Sequence, residues 1–232
     1  MPSGPLSSRA AGLAALPLLA LALAGCAGSP TTSGPCAYTP VSGFTDLHGL
    51  AVNPERPEEL YAATHHGLFR AVNDTGWARV GSLQDDLMGF SMHPTNGSTF
   101  WVSGHPRTGG NMGVRVSRDG GCDWQTLAAK DWDFHAMTVS PANPDHLWGF
   151  YRNELRQSTD GGNNWEVVSR PPPMGALAAD PRDVNVLYAT TQQGLQKSTD
   201  AGRRRAPGRG PATSGLRRCS SGAPAAWSRR AR

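Results

Sequence analysis

Four times along this 232-residue chain a short apolar run ends at a proline: HGLAVNP (48–54), MGFSMHP (88–94), HAMTVSP (135–141) and GALAADP (175–181). The prolines lie 40, 47 and 40 residues apart. After each comes a second strand-like run, LYAAT, FWVSG, LWGFY or LYATT, and then a third, in GLFR, GVRVS, ELRQS and GLQKS. β-Branched, aromatic and small residues bounded by Gly, Pro, Asn and Asp favour short strands, and no helical spacing separates them. A period near 40 residues with four short strands per unit is the pattern of a β-propeller blade, which buries its faces only against its neighbours. The chain is therefore expected to be all-β, with about four four-stranded blades starting near residues 48, 88, 135 and 175, the last one incomplete. The extra residues of the second unit fall in HPRTGGNMG, between its second and third strands.

The turn from third to fourth strand carries a repeat of its own. SRDGGCDW and STDGGNNW both read S-x-D-x-G-x-x-W, an Asp-box: Ser117, Asp119, Gly121 and Trp124, then Ser158, Asp160, Gly162 and Trp165. Here the Asp can accept hydrogen bonds from backbone N–H groups of its own loop, the Gly takes a conformation costly for other residues, and the Trp buries apolar surface on the next strand. The pattern gives these residues the job of folding a hairpin. A catalytic or cation-binding Asp119 or Asp160 would instead have to face away from its own turn. In the first unit Ala71, Asn73 and Trp77 fall near the same place without completing the motif, which predicts a blade that closes less well. A third copy begins with Ser198, Asp200 and Gly202, but Arg205 stands where a Trp is due.

Composition changes at that break. Residues 203–232 hold nine of the 22 basic residues and none of the 18 acidic ones. The switch falls inside a motif, whereas a domain boundary would respect the blade. The stretch thus reads as an aberrant basic tail, frameshifted after about Gly202 and disordered, in which Cys219 and Trp227 carry no meaning; a natural disordered tail is the other reading. Four units with the last unfinished are also marginal for closing a ring, so an intact ancestor would have more blades. The formal charge of +4 belongs to the tail, because residues 27–202 carry twelve Lys+Arg against all 18 acids. An acidic body has no basic stripe for phosphates, and nucleic acid is not an expected partner.

Residues 1–25 read as an export signal, with Arg9 ahead of an apolar run from Ala10 to Ala24 that is short for a permanent span. The run ends in Leu23-Ala24-Gly25-Cys26, which resembles a bacterial lipobox, where the Cys becomes the lipid-modified first mature residue. An ordinary cleavage site with Cys26 incidental is the alternative. On the first reading residues 26–43 are anchor and tether, membrane lipid is a partner through Cys26, and the protein is an exported lipoprotein on the extracytoplasmic side. An oxidising compartment would let Cys36 and Cys122 pair; an unpaired, buried Cys122 is equally compatible with the sequence.

HGLAVNP, ATHHGLFR, DDLMGF, SGHP, DFHAM and the two Asp-boxes together resemble the bacterial Asp-box, or BNR-repeat, propeller lipoproteins labelled glycosylhydrolase, sialidase-like or sortilin-related. The resemblance covers about residues 44–202. It implies the propeller and no single activity. Sialidases share the Asp-box and the fold, but their chemistry needs an arginine cluster, a Tyr nucleophile paired with a Glu, and an Asp acid/base. No F/Y-R-I-P stretch precedes the first blade, and Tyr151, Arg152 and Glu154 do not make that set, so catalytic residues stay unknown. Two function classes follow. One is a binding or assembly scaffold for an extracytoplasmic protein, glycan or metal; the other is a sialidase-like exo-glycoside hydrolase acting on extracytoplasmic glycans.

In an antiparallel blade the start of the inner strand and the end of its neighbour share one rim. Six residues before the aligned prolines stand His48, Met88, His135 and Gly175; eleven after them stand His65, His105, Arg152 and Gln192. These predict a channel mouth whose candidate binding residues are His48, His65, Met88, His105, His135 and Arg152, with the Asp-box turns on the opposite face. Neutral imidazoles and a thioether suit copper, and zinc next, with His48, His65, His105 and His135 as candidate ligands. The alternative needs no cofactor: solvated histidines, or His48 and His135 hydrogen-bonded to Asp46 and Asp133. A His/Met mouth favours binding over hydrolysis, which would call for paired acids.

Overall fold

Each proline-ended run folds as the inner strand of its own small antiparallel sheet in the computed structural model. The structure describes residue 1 and residues 36–72, 74, 76–127, 130–203 and 228–229. The expected signal segment, Cys26, Asn73, Arg205, Cys219 and Trp227 lie outside the described residues. No helix among the described residues is long and apolar enough to cross a membrane.

Within the unit Ser33–Arg232 the first blade contains β1 (Tyr38–Val41), β2 (Leu47–Val52), β3 (Glu59–Thr64), β4 (Gly67–Val72) and β5 (Trp77–Val80), in the spatial order β1-β5-β4-β3-β2. The second is β6 (Asp86–Met92), β7 (Phe100–His105), β8 (Val114–Ser117) and β9 (Gln125–Thr126). The third is β10 (Ala136–Val139), β11 (Leu147–Tyr151), β12 (Glu154–Ser158) and β13 (Glu166–Ser169). The fourth is β14 (Met174–Ala179), β15 (Leu187–Thr191), β16 (Gly194–Ser198) and β17 (Ser228–Arg229); β17 comes from the stretch expected to be a disordered tail and instead pairs with β16, Gln196 opposite Arg229 and Lys197 opposite Ser228. One five-stranded and three four-stranded antiparallel sheets, with the inner strands β2, β6, β10 and β14 side by side, make an all-β, four-blade propeller, as the 40-residue period predicts.

Two expectations need correction in the first blade. Residues 38–41, placed in the tether, form β1 and pair with β5, Tyr38 opposite Val80 and Val41 opposite Trp77. Nor does the incomplete box leave this blade poorly closed. Phe44 stacks on Phe69 at 5.1 Å and meets Trp77 edge-on at 4.7 Å, and the Cys36–Cys122 disulfide ties the start of the blade to the Asp-box turn of the second. Aromatic packing and a covalent link do there what the box does elsewhere.

Apolar layers between blades form the core. Leu68, Val80, Phe100 and Val102 are fully buried between the first and second; Val114, Phe134 and Leu147 between the second and third; and Trp148, Leu155 and Leu187 between the third and fourth. Among the described residues β2 touches β6, β6 touches β10 and β10 touches β14, but β14 and β2 do not meet. The two end faces show it. Leu50 and Val52 are 57% and 53% exposed where their counterparts Met137 and Val139 are 6% and 7% exposed, and Leu195 is 44% exposed where Leu155 is 0%.

Candidate functional site

Both rims of the blades are built by local sequence. On one rim the Asp-boxes fold their own turns: Ser117 Oγ and Ser158 Oγ donate to Asp119 and Asp160 at 2.8 Å, and Gly121 N and Gly162 N donate to the same serine oxygens at 2.8 and 2.9 Å. Asp160 Oδ1 also accepts from the N–H groups of Asn163 and Asn164 at 3.1 and 2.9 Å. Those donors, the Asn164 backbone foremost, hold its carboxyl below the usual aspartate value. Gly120 N, Gly161 N and Ala201 N donate to the carbonyls of Ser98, Asp145 and Asn185, in the loops that follow the aligned prolines. The boxes therefore sit at the proline ends of the inner strands. Trp165 and Trp124 each donate from the indole N–H to the carbonyl of the box glycine three residues earlier, at 2.9 and 3.0 Å. In the third box Ser198, Asp200 and Gly202 keep the same turn, with Ser198 Oγ 2.6 Å from Asp200 and 2.9 Å from Gly202 N.

The opposite rim gathers the histidines, in two clusters rather than one ring. His48 and His65 of the first blade face Asp86 of the second: His48 Nε2 lies 3.4 Å from Asp86 Oδ1, His65 Nδ1 lies 3.7 Å from Asp86 Oδ2, and the rings are 4.5 Å apart. One junction further, His105 of the second blade meets Asp133 and His135, which lead into the third. His105 Nε2 is 3.2 Å and His135 Nε2 2.5 Å from Asp133 Oδ2. In each cluster the three ligand-type atoms lie within 4.8 Å of one another. His48 thus turns to Asp86, not to Asp46 as the sequence alternative had it; His135 does bond to Asp133.

Backbone irregularities aim these groups. The β2–β3 register shifts between Leu47 and Gly49, where His48 sits, and the β6–β7 register shifts between Asp86 and Gly89, each an extra residue that swings side chains toward the rim. A Cβ at Gly104, whose φ is +150°, would lie 2.1 Å from the Asp86 carbonyl oxygen, so only glycine lets β7 approach the Asp86 backbone. At Gly89 a Cβ would lie 2.2 Å from the Phe134 carbonyl oxygen. Ser103 Oγ, fully buried, accepts the Phe134 N–H at 2.9 Å. Gly89 and Ser103 of the second blade therefore clamp the segment that carries Asp133 and His135.

Electrostatics differ between the clusters. Burial pulls the His48 imidazole below its usual pKa against the pull of Asp86, whereas the hydrogen bond to Asp133 raises that of His135. Met88 is half-buried in β6, two residues beyond Asp86. Arg152 occupies a tight turn at φ +49° with its guanidinium 5.0 Å over the Tyr151 ring, and it joins neither cluster.

Sequence reading missed Asp86 altogether and took Asp133 only as a hydrogen-bond partner. The signal was there one step upstream of the columns compared. Eight residues before the aligned prolines stand Asp46, Asp86 and Asp133, and the fourth unit has Pro173. With Arg152 and Pro173 in the matching columns, the third junction lacks both the imidazole and the carboxylate.

No protein-family model and no curated protein matches the chain. Among solved structures it is similar to the GH74 enzyme of Niastella koreensis, at 18% identity over 72% of this chain and 30% of that one, with a TM-score of 0.56. It is also similar to the GH74 xyloglucanase of Xanthomonas campestris, at 18% identity over 75% of this chain and 32% of that one, TM-score 0.54. A third is YCF48 bound to D1 peptide, at 13% identity over 75% and 56%, TM-score 0.52. The chain thus spans less than a third of the two GH74 structures and 56% of YCF48. These likenesses establish the class of protein, a β-propeller. Within that class the neighbours run from a xyloglucanase to a peptide-bound protein, and the fold alone selects no activity.

Proposed function

We propose that the chain is a ligand-binding or assembly propeller of the Asp-box lipoprotein type, exported and anchored through Cys26, with its ligand end at the histidine rim. One observation carries this reading: each rim carboxylate, Asp86 and Asp133, is grouped at ligand spacing with two imidazoles rather than with a second carboxylate. A glycosidase needs two carboxyl groups across the scissile bond, one of them an acid whose pKa is raised. The neighbouring acids point the other way. Asp85 is paired with Arg115 at 2.9 Å, and Glu154 is gripped by Arg156 and Arg170, which hold its carboxyl below the usual value despite some burial.

Hydrolysis is the second reading, and the GH74 neighbours favour it. The full chain, purified in detergent, is incubated with xyloglucan and with sialyllactose, and reducing sugar and free sialic acid are assayed. The proposal expects no release above a heat-denatured control. Release that disappears in Asp86→Asn or Asp133→Asn would move the chain to the hydrolases.

A further inference from the structure

Two buried polar atoms at the first junction have no hydrogen-bond partner: His48 Nε2 and Asp86 Oδ1, 3.4 Å apart. At the second junction Asp133, 6% exposed, leaves Oδ1 without a partner while both imidazoles approach Oδ2, so there the case for an ion rests on the spacing. Buried acceptors and donors are almost always satisfied, and an orphan calls for an ion or water that completes it. The spacing says which. Two ligands on one tetrahedral metal ion at about 2.0–2.1 Å stand about 3.3 Å apart. The observed separations of 3.4, 3.7 and 3.2 Å match that span; only His135, at 2.5 Å from Asp133, has to retreat to make room.

The orientation of His105 adds an independent reason. Its Nδ1 lies 3.0 Å from the Gly110 carbonyl oxygen, an acceptor only, so Nδ1 carries the proton in that bond. In the neutral ring Nε2 then presents a lone pair to the Asp133 carboxylate 3.2 Å away. Lone pair facing carboxylate is repulsive unless a cation lies between them, either a proton on Nε2, which makes the contact an ion pair, or a metal ion, and metal titration separates the two. A metal-ligating histidine is commonly fixed in this way, its other N–H given to a backbone carbonyl.

We infer that the two junctions are metal sites, His48/His65/Asp86 and His105/Asp133/His135, each taking one divalent ion of the zinc and copper class in a two-imidazole, one-carboxylate set with an open position. The inference rests on the reading of this rim as the ligand end, and it gives the ion a structural consequence. Each site draws ligands from two successive blades, so a bound ion fastens blade one to two and blade two to three, adding to the apolar layers, the Cys36–Cys122 disulfide and the Ser103–Phe134 hydrogen bond that already join them. The open position leaves room for a donor from a ligand at the mouth.

Zinc titrated into the full chain by calorimetry, with zinc-dependent melting followed by circular dichroism, tests the inference. Wild type is expected to take two equivalents of zinc and to melt at higher temperature with it. Asp86→Asn and Asp133→Asn, which keep shape, should each take one equivalent, and the pair together none, with the zinc-induced rise in melting lost. His65→Gln and His105→Gln provide a second route to the same two losses. His93→Ala, at the proline end of β6, should keep both equivalents. Copper(II) and iron(II) titrations rank the ion, and magnesium is expected to show no uptake. A folded wild type that takes up no zinc, copper or iron overturns the inference, as does uptake unchanged in all four single variants. Neither result touches the hydrolysis assay, and sugar release by a protein that still binds two zinc ions would sink the scaffold reading alone.

Discussion

Leu155 and Leu195 hold the same place in successive blades, the second residue of the third strand, yet one is 0% and the other 44% exposed. Leu155 lies in the layer with Trp148 and Leu187, against Leu177 and Ala179 of the next blade. Leu155→Ala removes about three methylene equivalents at about 0.8 kcal/mol each and leaves a cavity in a layer of large neighbours, a loss of about 3–4 kcal/mol in all. Leu195→Ala removes the same atoms where nearly half the side chain is already in water and no enclosed cavity forms, so about 1 kcal/mol is the expected cost. Urea unfolding followed by tryptophan fluorescence measures both, and buried Trp148 beside Leu155 reports on the layer directly. The account predicts a gap of about 2–3 kcal/mol between the two variants. Equal costs would show that a further surface covers the fourth blade and that the account of the end faces is mistaken.

Asp160→Ala should cost about 1–3 kcal/mol by stripping the acceptor from its turn, without changing zinc uptake; lost uptake with unchanged melting would make the box functional. Because the folded-state pKa of Asp160 is depressed, its contribution is present above the ordinary aspartate value near 3.8 and is lost as pH falls through the folded value. The acid unfolding of Asp160→Ala should therefore be less steep than that of wild type. Cys36→Ser with Cys122→Ser opens a loop of 86 residues and is expected to destabilise by up to about 4–5 kcal/mol in the loop-entropy view, seen as a lower urea midpoint; an unmoved midpoint would argue against the bond. Gly89→Ala, driven into the Phe134 carbonyl, should cost about 1–3 kcal/mol and weaken zinc uptake at the second junction more than at the first, which single-site calorimetry in the Asp86→Asn background reads. Labelled palmitate should mark the expressed protein, and Cys26→Ser should remove the label; label kept in the variant sinks the anchor.

Strand period and proline register were enough to place the blades, because a propeller blade is a local unit whose partners follow it within about 40 residues. The rim was half legible for the same reason. His48, His65, His105 and His135 stand in register columns, but Asp86 joins His48 and His65 only across a blade junction, and a within-blade alignment is blind to which blade supplies the third group. β1 was lost to the polar composition around it: a fifth strand that depends on Trp77, Phe44 and a disulfide has no repeat to announce it. Metal preference was read toward copper through Met88, whereas the carboxylates that the structure places in each cluster shift the donor set toward oxygen and nitrogen and so toward zinc.

The claim at the centre is that successive blades are joined by ions at the histidine rim, and a crystal of the full chain grown with zinc tests it most directly. An anomalous difference map collected at the zinc edge should show two peaks, one among His48, His65 and Asp86 and one among His105, Asp133 and His135, each about 2.0–2.2 Å from its three ligands. A map with no peak at either junction, or with peaks only at the Asp-box turns, would contradict it.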